Sequence, residues 1–448
     1  MTRALDAPGD HDHESLTVTV GPALPVSAGV VTALIGFTSS FAVVLAGLTA
    51  VGAEPAQAAS GLRVLCIAQA LGILLLSFRY RIPITLAWST PGAALLASAG
   101  TVAGGWSAAV GAFLLVGVLI VCTGLWRRLG DLVAAIPVEI AQAMLAGVLL
   151  PICLAPVRAV QTSPVLVVPV ILVWLILQRF APRWSVLAAF GTAVLEAAIG
   201  IAAHHGRLDV SGIIPSVAVS VPEWNWQAIV GIAVPLYVVT MASQNIPGVA
   251  VMKSYGYTVP WRASMTITGL GTLIGAPAGG HAINLAAISA ALAAAPTAHP
   301  DPRRRWIAAF AAGVTYLFLA LISGVLIALV ATTPKGVFAT VAGLALLATL
   351  GTALSGALAS GENREASIVT ILIAASGMSF GGIGAALWAL LAGLAVRAVL
   401  NRSSPWSWAT VSFGFRPCRA PRPSSAESAT SAAMEVDMVD HVPPKPGP

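Results

Sequence analysis

The side chains whose types could bind or protonate a substrate fall in three short stretches set inside apolar sequence. The first is Trp88-Ser89-Thr90-Pro91. Thr90 followed by Pro91 signals a helix start, an N-cap hydroxyl and then proline at the first helical position. The second runs from Thr240 to Gly248 and holds two adjacent amides, Gln244 and Asn245. Amides are costly in an apolar span unless hydrogen bonded, and Pro247 frees the carbonyl four residues back, at Ser243. Substrate binding is one reading of these amides, and bonding to neighbouring helices is the other. The third is Gly275-Ala276-Pro277-Ala278-Gly279-Gly280-His281, too rich in Gly and Pro to start a stable helix. Asn284 beyond it can cap a helix from Leu285 to Ala295. Two half-helices starting near the membrane midplane would aim their N-termini at one place. Each N-terminus offers unpaired N–H donors and about half a positive charge, an anion site that needs no Arg or Lys. The simplest anionic group is a carboxylate; a purely structural kink is the alternative at each break.

Other residues frame that site. His281 can donate to an anion and take up a proton near neutral pH, or only bond a neighbour. Glu196 lies well inside an apolar span, where an ionisable group is functional by default. Glu139 follows Pro137, where a carboxylate meets the helix dipole favourably. These three are the proton-coupling candidates. Phe37, Phe41, Trp88 and Tyr237 could hold an aromatic ring, or serve packing alone.

The elements that position these residues are membrane helices. Of 448 residues, 57% are apolar and 9% charged, and the mean hydropathy is +0.89; a soluble domain is about 25% charged. The apolar residues come in long blocks, not in the alternating stretches of a barrel. The blocks read as 26–52, 57–77, 83–99, 105–125, 137–153, 164–179, 184–203, 227–251, 262–276, 277–295, 305–331, 335–358, 365–380 and 381–400. That gives an all-α polytopic membrane protein of about 14 transmembrane segments. Block 83–99 is too short for one continuous helix across a ~30 Å core, so Pro83 to Ser89 should run extended. Residues 1–25 read as a cytosolic leader without a signal-peptide pattern, and 402–448 as a disordered cytosolic tail.

Loops predicted inside carry twelve Lys and Arg, from Arg79 to Arg364, and those predicted outside carry Arg158, Arg207 and Lys335. This bias puts both termini in the cytoplasm. It also explains the net charge of +6 by topology, with no nucleic-acid partner. Cys66, Cys122, Cys153 and Cys418 are too scattered for a zinc site or disulfide framework. No stretch calls for a metal or a cofactor. Fourteen spans divide into two inverted seven-span repeats, 26–203 and 227–400, the plan of secondary transporters. Ile136-Pro137-Val138 and Thr333-Pro334-Lys335-Gly336-Val337 open spans at matching places.

At these residues the chain resembles the benzoate/proton symporter family (BenE). The likeness runs from about Val26 to Leu400. It is carried by Pro83 to Ala97 (PITLAWSTPGAALLA), Val239 to Tyr257 (VTMASQNIPGVAVMKSYGY), Gly275 to Ala291 (GAPAGGHAINLAAISAA) and Ala298 to Arg305 (AHPDPRRR). The resemblance implies uptake of an aromatic carboxylate with protons across a bacterial inner membrane. More distantly the family is similar to nucleobase symporters of the uracil type, which implies a core domain (spans 1–4 and 8–11), a gate domain (spans 5–7 and 12–14) and a homodimer through the gate. Those carriers place carboxylates on spans 8 and 10. Here the similar stretches read Ser243-Gln244-Asn245 and Ala282-Ile283-Asn284, which removes repulsion toward an anion. The chain therefore reads as a symporter in which Ser89, Thr90, His281 and Asn284 bind the carboxylate and Gln244 and Asn245 orient it. The alternative is a carrier or channel-like facilitator of another small anion or a nucleobase on the same fold. No nucleophile with a base and no phosphate loop points to an enzyme.

Overall fold

In lipid every backbone polar group must be satisfied within the protein, so long apolar sequence becomes helix. The computed structural model describes residues 23–203 and 217–400; Arg207, the leader before Ala23 and the tail from Arg402 lie outside the described residues. Among the described residues, eight helices are long and apolar enough to cross a membrane. The first half contains α1 (Ala23–Ala50), α2 (Pro55–Tyr80), β1 (Leu86–Trp88), α3 (Thr90–Ala99), α4 (Gly105–Leu125), α5 (Arg127–Ala134), α6 (Val138–Cys153), α7 (Ala155–Thr162), α8 (Pro164–Phe180) and α9 (Pro182–Ala203). The second contains α10 (Trp226–Ser254), α11 (Trp261–Gly275), β2 (Ile283–Leu285), α12 (Ile288–Ala294), α13 (Trp306–Thr332), α14 (Lys335–Ala357), α15 (Arg364–Ala375), β3 (Ser379–Phe380), β4 (Ile383–Gly384) and α16 (Ala385–Leu400).

The helices gather into two sets. Helix α2 packs on α1, α11 and α13, and α4 packs on α11; α6 packs on α14 and α15, and α15 on α16. Helix α1 touches both sets through α3, α13 and α14. The bulky buried side chains Trp88, Phe37, Phe41 and Phe113 lie in one continuous apolar core.

Three local departures from the sequence expectation have physical causes. The span expected to stop at residue 153 continues, after Leu154, as α7, because Pro156 falls in the first turn of a new helix, where its missing N–H costs nothing. The spans expected at 365–380 and 381–400 do not abut. Helix α15 stops at Ala375, and the hairpin β3–β4 turns through Gly381 and Gly382, with φ of +63° and +76°. Two consecutive positive φ values are the signature of a type I′ turn. Finally, Arg127–Ala134, expected to be loop, forms the short helix α5.

Helix α10 is interrupted twice. Wide π turns occupy Ile229–Ala233 and Met241–Asn245, and each ends two residues before a proline, Pro235 and Pro247. A proline ring cannot seat against a regular turn, and an extra residue in the preceding turn relieves that clash. Such single wide turns recur at functional sites.

Candidate functional site

The two broken spans meet as an antiparallel strand pair with Leu86 opposite Leu285, Ala87 opposite Asn284 and Trp88 opposite Ile283. Ser89 N donates to Ala282 O at 2.8 Å and Ala286 N to Thr85 O at 3.1 Å, extending the ladder at both ends. The extended run predicted from Pro83 to Ser89 is therefore present.

Each outer edge of this two-stranded ribbon would expose backbone donors, and side chains from neighbouring helices take them up. Trp88 N donates to Gln69 Oε1 at 2.8 Å. Leu285 N donates to Asn245 Oδ1 at 2.8 Å, and Ile283 N to Thr272 Oγ1 at 3.0 Å. Asn245 also donates to Met241 Sδ. Asn245 thus braces a strand, the interhelix role left open by the sequence.

The helix starts differ from the sequence reading by small but consequential steps. Ser89, not Thr90, caps α3: its Oγ accepts from Gly92 N at 3.2 Å and lies 2.8 Å from Thr240 Oγ1. Thr90 is then the first helical residue and Pro91 the second. Because Pro91 has no N–H and Gly92 is capped, the amide of Thr90 is the donor left open at that end. Asn284 does not cap a helix. It lies inside β2, where pairing with β1 holds the backbone extended, and its Nδ2 donates to Leu285 O at 2.7 Å. Helix α12 starts three residues later than β2 ends, at Ile288, and Ala287 gives it no side-chain cap. Its first-turn amides remain open.

A cavity of about 100 Å³ opens where these parts converge. Thr90 and Pro91 come from α3, Ala287, Ile288 and Ser289 from the start of α12, Gln244 from the second π turn, and Ser39 and Ser40 from α1. Leu149 of α6 and Ala345, Leu346 and Thr349 of α14 complete the lining. None of its lining residues is ionisable. Ser289 Oγ lies 3.3 Å from Thr85 Oγ1 and ties the two broken spans together beside the cavity.

Of the residues singled out from sequence, Thr90, Gln244 and Trp88 line this cavity; Ser89, Asn245, His281, Asn284, Phe41 and Tyr237 do not. Trp88 donates through Nε1 to Ser40 Oγ at 2.6 Å, and Ser40 in turn donates to Gly36 O at 2.9 Å. Phe41 packs on Phe37 and Phe190, at ring distances of 5.3 and 5.7 Å. Tyr237 is buried and hydrogen bonded to Thr123. His281 is fully buried, edge-on to Phe113 at 6.4 Å, beside the peptide of Ala282 that bonds Ser89 N. Its ring nitrogens make no hydrogen bond to another side chain, and Asn284 Oδ1 is buried without a partner. Glu196 is half-buried in α9 with Oε2 enclosed and unpartnered. Glu139 lies in the first turn of α6.

Sequence reasoning missed Ser39, Ser40, Ser289 and Thr349. The signal for the first two was present in span 1, where Phe37 and Phe41 drew attention instead. Ser40 lies one residue before Phe41, on the same helix. Nothing local distinguishes Thr349 from other hydroxyls in helical apolar sequence.

Fold and cavity together define a polytopic helical transporter in which two broken spans and an interrupted helix surround an uncharged central pocket. The same fold occurs in the transmembrane domain of the cyanobacterial bicarbonate transporter BicA, with a TM-score of 0.56 at 16% identity over 83% of this chain and 97% of that one. It occurs also in SLC26A9, with a TM-score of 0.61 at 11% identity over 84% of this chain and 65% of that one. The family model BenE, benzoate membrane transport protein, matches residues 21–399, and the chain belongs to that family. It is 37% identical to the inner membrane protein YdcO of Escherichia coli (strain K12), over 84% of this chain and 95% of that protein. It is 32% identical to the benzoate membrane transport protein of Acinetobacter baylyi, over 72% of this chain and 81% of that protein.

Proposed function

We propose that this protein takes up an aromatic carboxylate, most simply benzoate, together with one proton across a bacterial inner membrane. The observation that carries this reading is the cavity. Its lining includes Thr90 with its open amide, the uncapped first turn of α12 and Gln244, together with Leu149 and Leu346. Backbone N–H groups and a side-chain amide can donate to a carboxylate without the desolvation cost of a buried cation. The leucines suit a flat apolar ring. Fourteen crossings in two inverted repeats, with both termini cytoplasmic, belong to the same reading, as does motion of spans 5–7 and 12–14 past the rest.

Uptake of a carboxylate needs coupling. A group with a pKa of about 4 is ionised at neutral pH, and moving that anion into a negative-inside cell costs about 2.3 kcal/mol per 100 mV. A co-transported proton cancels the charge. His281 is our coupling residue. Its ring lies beside the Ala282–Ser89 ladder bond that leads into Thr90, so a proton taken up there would add positive charge behind the anion.

The test is uptake of labelled benzoate by proteoliposomes of purified protein, with and without an acid-outside gradient. Accumulation above equilibrium only with the gradient is expected, and His281→Ala should abolish accumulation while benzoate exchange persists. Flux that follows the electrical gradient alone would make the protein a facilitator. No benzoate flux in either condition would overturn the substrate assignment.

A further inference from the structure

A second feature of the molecule, at the end of α2, carries chemistry that transport does not use. Helix α2 ends at Arg81, whose φ of +55° makes it the one non-glycine residue with positive φ among the described residues. A left-handed C-cap is ordinarily glycine or asparagine, so an arginine there bears a conformational cost. Its guanidinium carbon lies 4.6 Å from the ring centroid of Phe78 and 4.1 Å from that of Trp306, at the start of α13. Such cation–π stacking holds the group at an exposed position. The two rings are 6.3 Å apart and steeply inclined to each other, so they cradle the guanidinium from two adjacent sides and leave its N–H groups on the other sides for an acceptor. No carbonyl or side chain among the described residues accepts from them.

The surroundings say what that acceptor is. Arg79, also exposed, lies over the Tyr80 ring at 5.5 Å. The loop leading into α13 adds Arg303 and Arg304 against a single acid, Asp301, which pairs with Arg304 at 3.9 Å. Arg305 is buried and already engaged within the protein, donating to the carbonyls of Ala294, His299 and Pro300. From this cationic end an exposed apolar stripe runs along α2 through Phe78, Leu75 and Leu71, and another along α13 through Val314, Phe318 and Leu321. The two helices are packed neighbours. An ammonium would be repelled here, whereas a phosphodiester with two apolar tails matches both halves of the surface. Planar N–H pairs are suited to two phosphate oxygens at once.

We propose that Arg81, supported by Arg79, binds the phosphate of an anionic phospholipid, one lacking a compensating amine, whose acyl chains lie along the α2–α13 seam. The site is separate from the transport cavity and independent of the benzoate reading. Arg81 is a lipid anchor held rigid by Phe78 and Trp306.

Native mass spectrometry of the purified full chain, titrated with phosphatidylglycerol or phosphatidylethanolamine, tests this. Wild type should retain phosphatidylglycerol in preference to phosphatidylethanolamine. Arg81→Gln should weaken phosphatidylglycerol binding about fivefold, the worth of one basic residue at a membrane surface. Arg183→Gln, which removes an exposed charge at the start of α9, should leave it unchanged. Equal binding of both lipids, unchanged binding in Arg81→Gln, or an equal loss in Arg183→Gln would overturn the site. Should Arg81→Gln not fold, Trp306→Leu keeps every charge and removes one of the two rings that hold the guanidinium. It should lower affinity, and unchanged affinity there would refute the stacked anchor.

Discussion

The two broken spans are built to one plan and finished differently. On the first, Ser89 caps α3, Pro91 removes a donor, and Trp88 is locked through both its backbone N–H and its indole N–H. On the second, the approach runs through a Gly-rich turn, α12 has no side-chain cap, and His281 and Asn284 keep buried polar atoms without side-chain partners. Buried polar groups in native proteins are nearly always satisfied, so unfinished ones on one arm mark where the structure retains capacity for a ligand or a proton. The first arm is scaffold with one open amide at Thr90. The second is held in shape from outside, by Asn245 and Thr272, and on our proposal it is the arm that meets the substrate. Its turn must also pass very close to α2. A Cβ added at Gly61 would lie 2.4 Å from Gly279 O, and Gly279 itself adopts φ of +91°.

The contrast can be broken most violently at Trp88. Trp88→Ala empties a fully enclosed site in the core and removes the indole bond to Ser40, a loss of about 3–5 kcal/mol for a core aromatic. Among the substitutions considered, it should lower the melting temperature in detergent most. Asn245→Ala comes next. It strands the Leu285 N–H inside the protein, which costs about 1–3 kcal/mol, and it should loosen the second arm. Faster amide hydrogen exchange at Leu285 than at Trp88 would locate the damage; equal exchange at both strands would mean that the arms are not separately supported. Ser89→Ala removes a cap worth about 1 kcal/mol, with the exchange increase now confined to the start of α3.

How far the sequence foretold this arrangement depends on the range of the interaction. Extended backbone at Pro83 to Ser89 and the break around Gly279 were legible, because Pro and Gly act locally and the span is too short for one helix. The residue that caps each half-helix was not. Strand pairing decides where the helix can begin, so Thr90 yields the cap to Ser89 and Asn284 is drawn into β2. That pairing joins residues about two hundred positions apart. The same holds for the cavity wall. Gln244 was legible as a costly amide in apolar sequence, but Ser40, Ser289 and Thr349 become wall residues only when six helices converge. Adjacent amides of identical local character, Gln244 and Asn245, receive different work because a π turn sets which one faces the strand.

That last pair gives the finest test. Gln244 lines the cavity, and its side chain makes no hydrogen bond within the described residues. Gln244→Ala therefore strands no partner in the empty protein, and its effect on stability should stay within about 0.5 kcal/mol. Its effect on transport should be of a different kind. Losing one donor to a bound, charged carboxylate is worth about 1.5–3 kcal/mol, a rise of roughly 10- to 150-fold in KM for benzoate uptake with an unchanged melting temperature. Asn245→Ala should show the reverse emphasis, a lower melting temperature first and impaired transport as its consequence. If Gln244→Ala melts like Asn245→Ala, both amides are scaffold and the substrate finds its donors only at the two helix starts. A KM that rises without any change in stability would assign adjacent positions of one wide turn to two separate tasks, holding the second arm and reading what it binds.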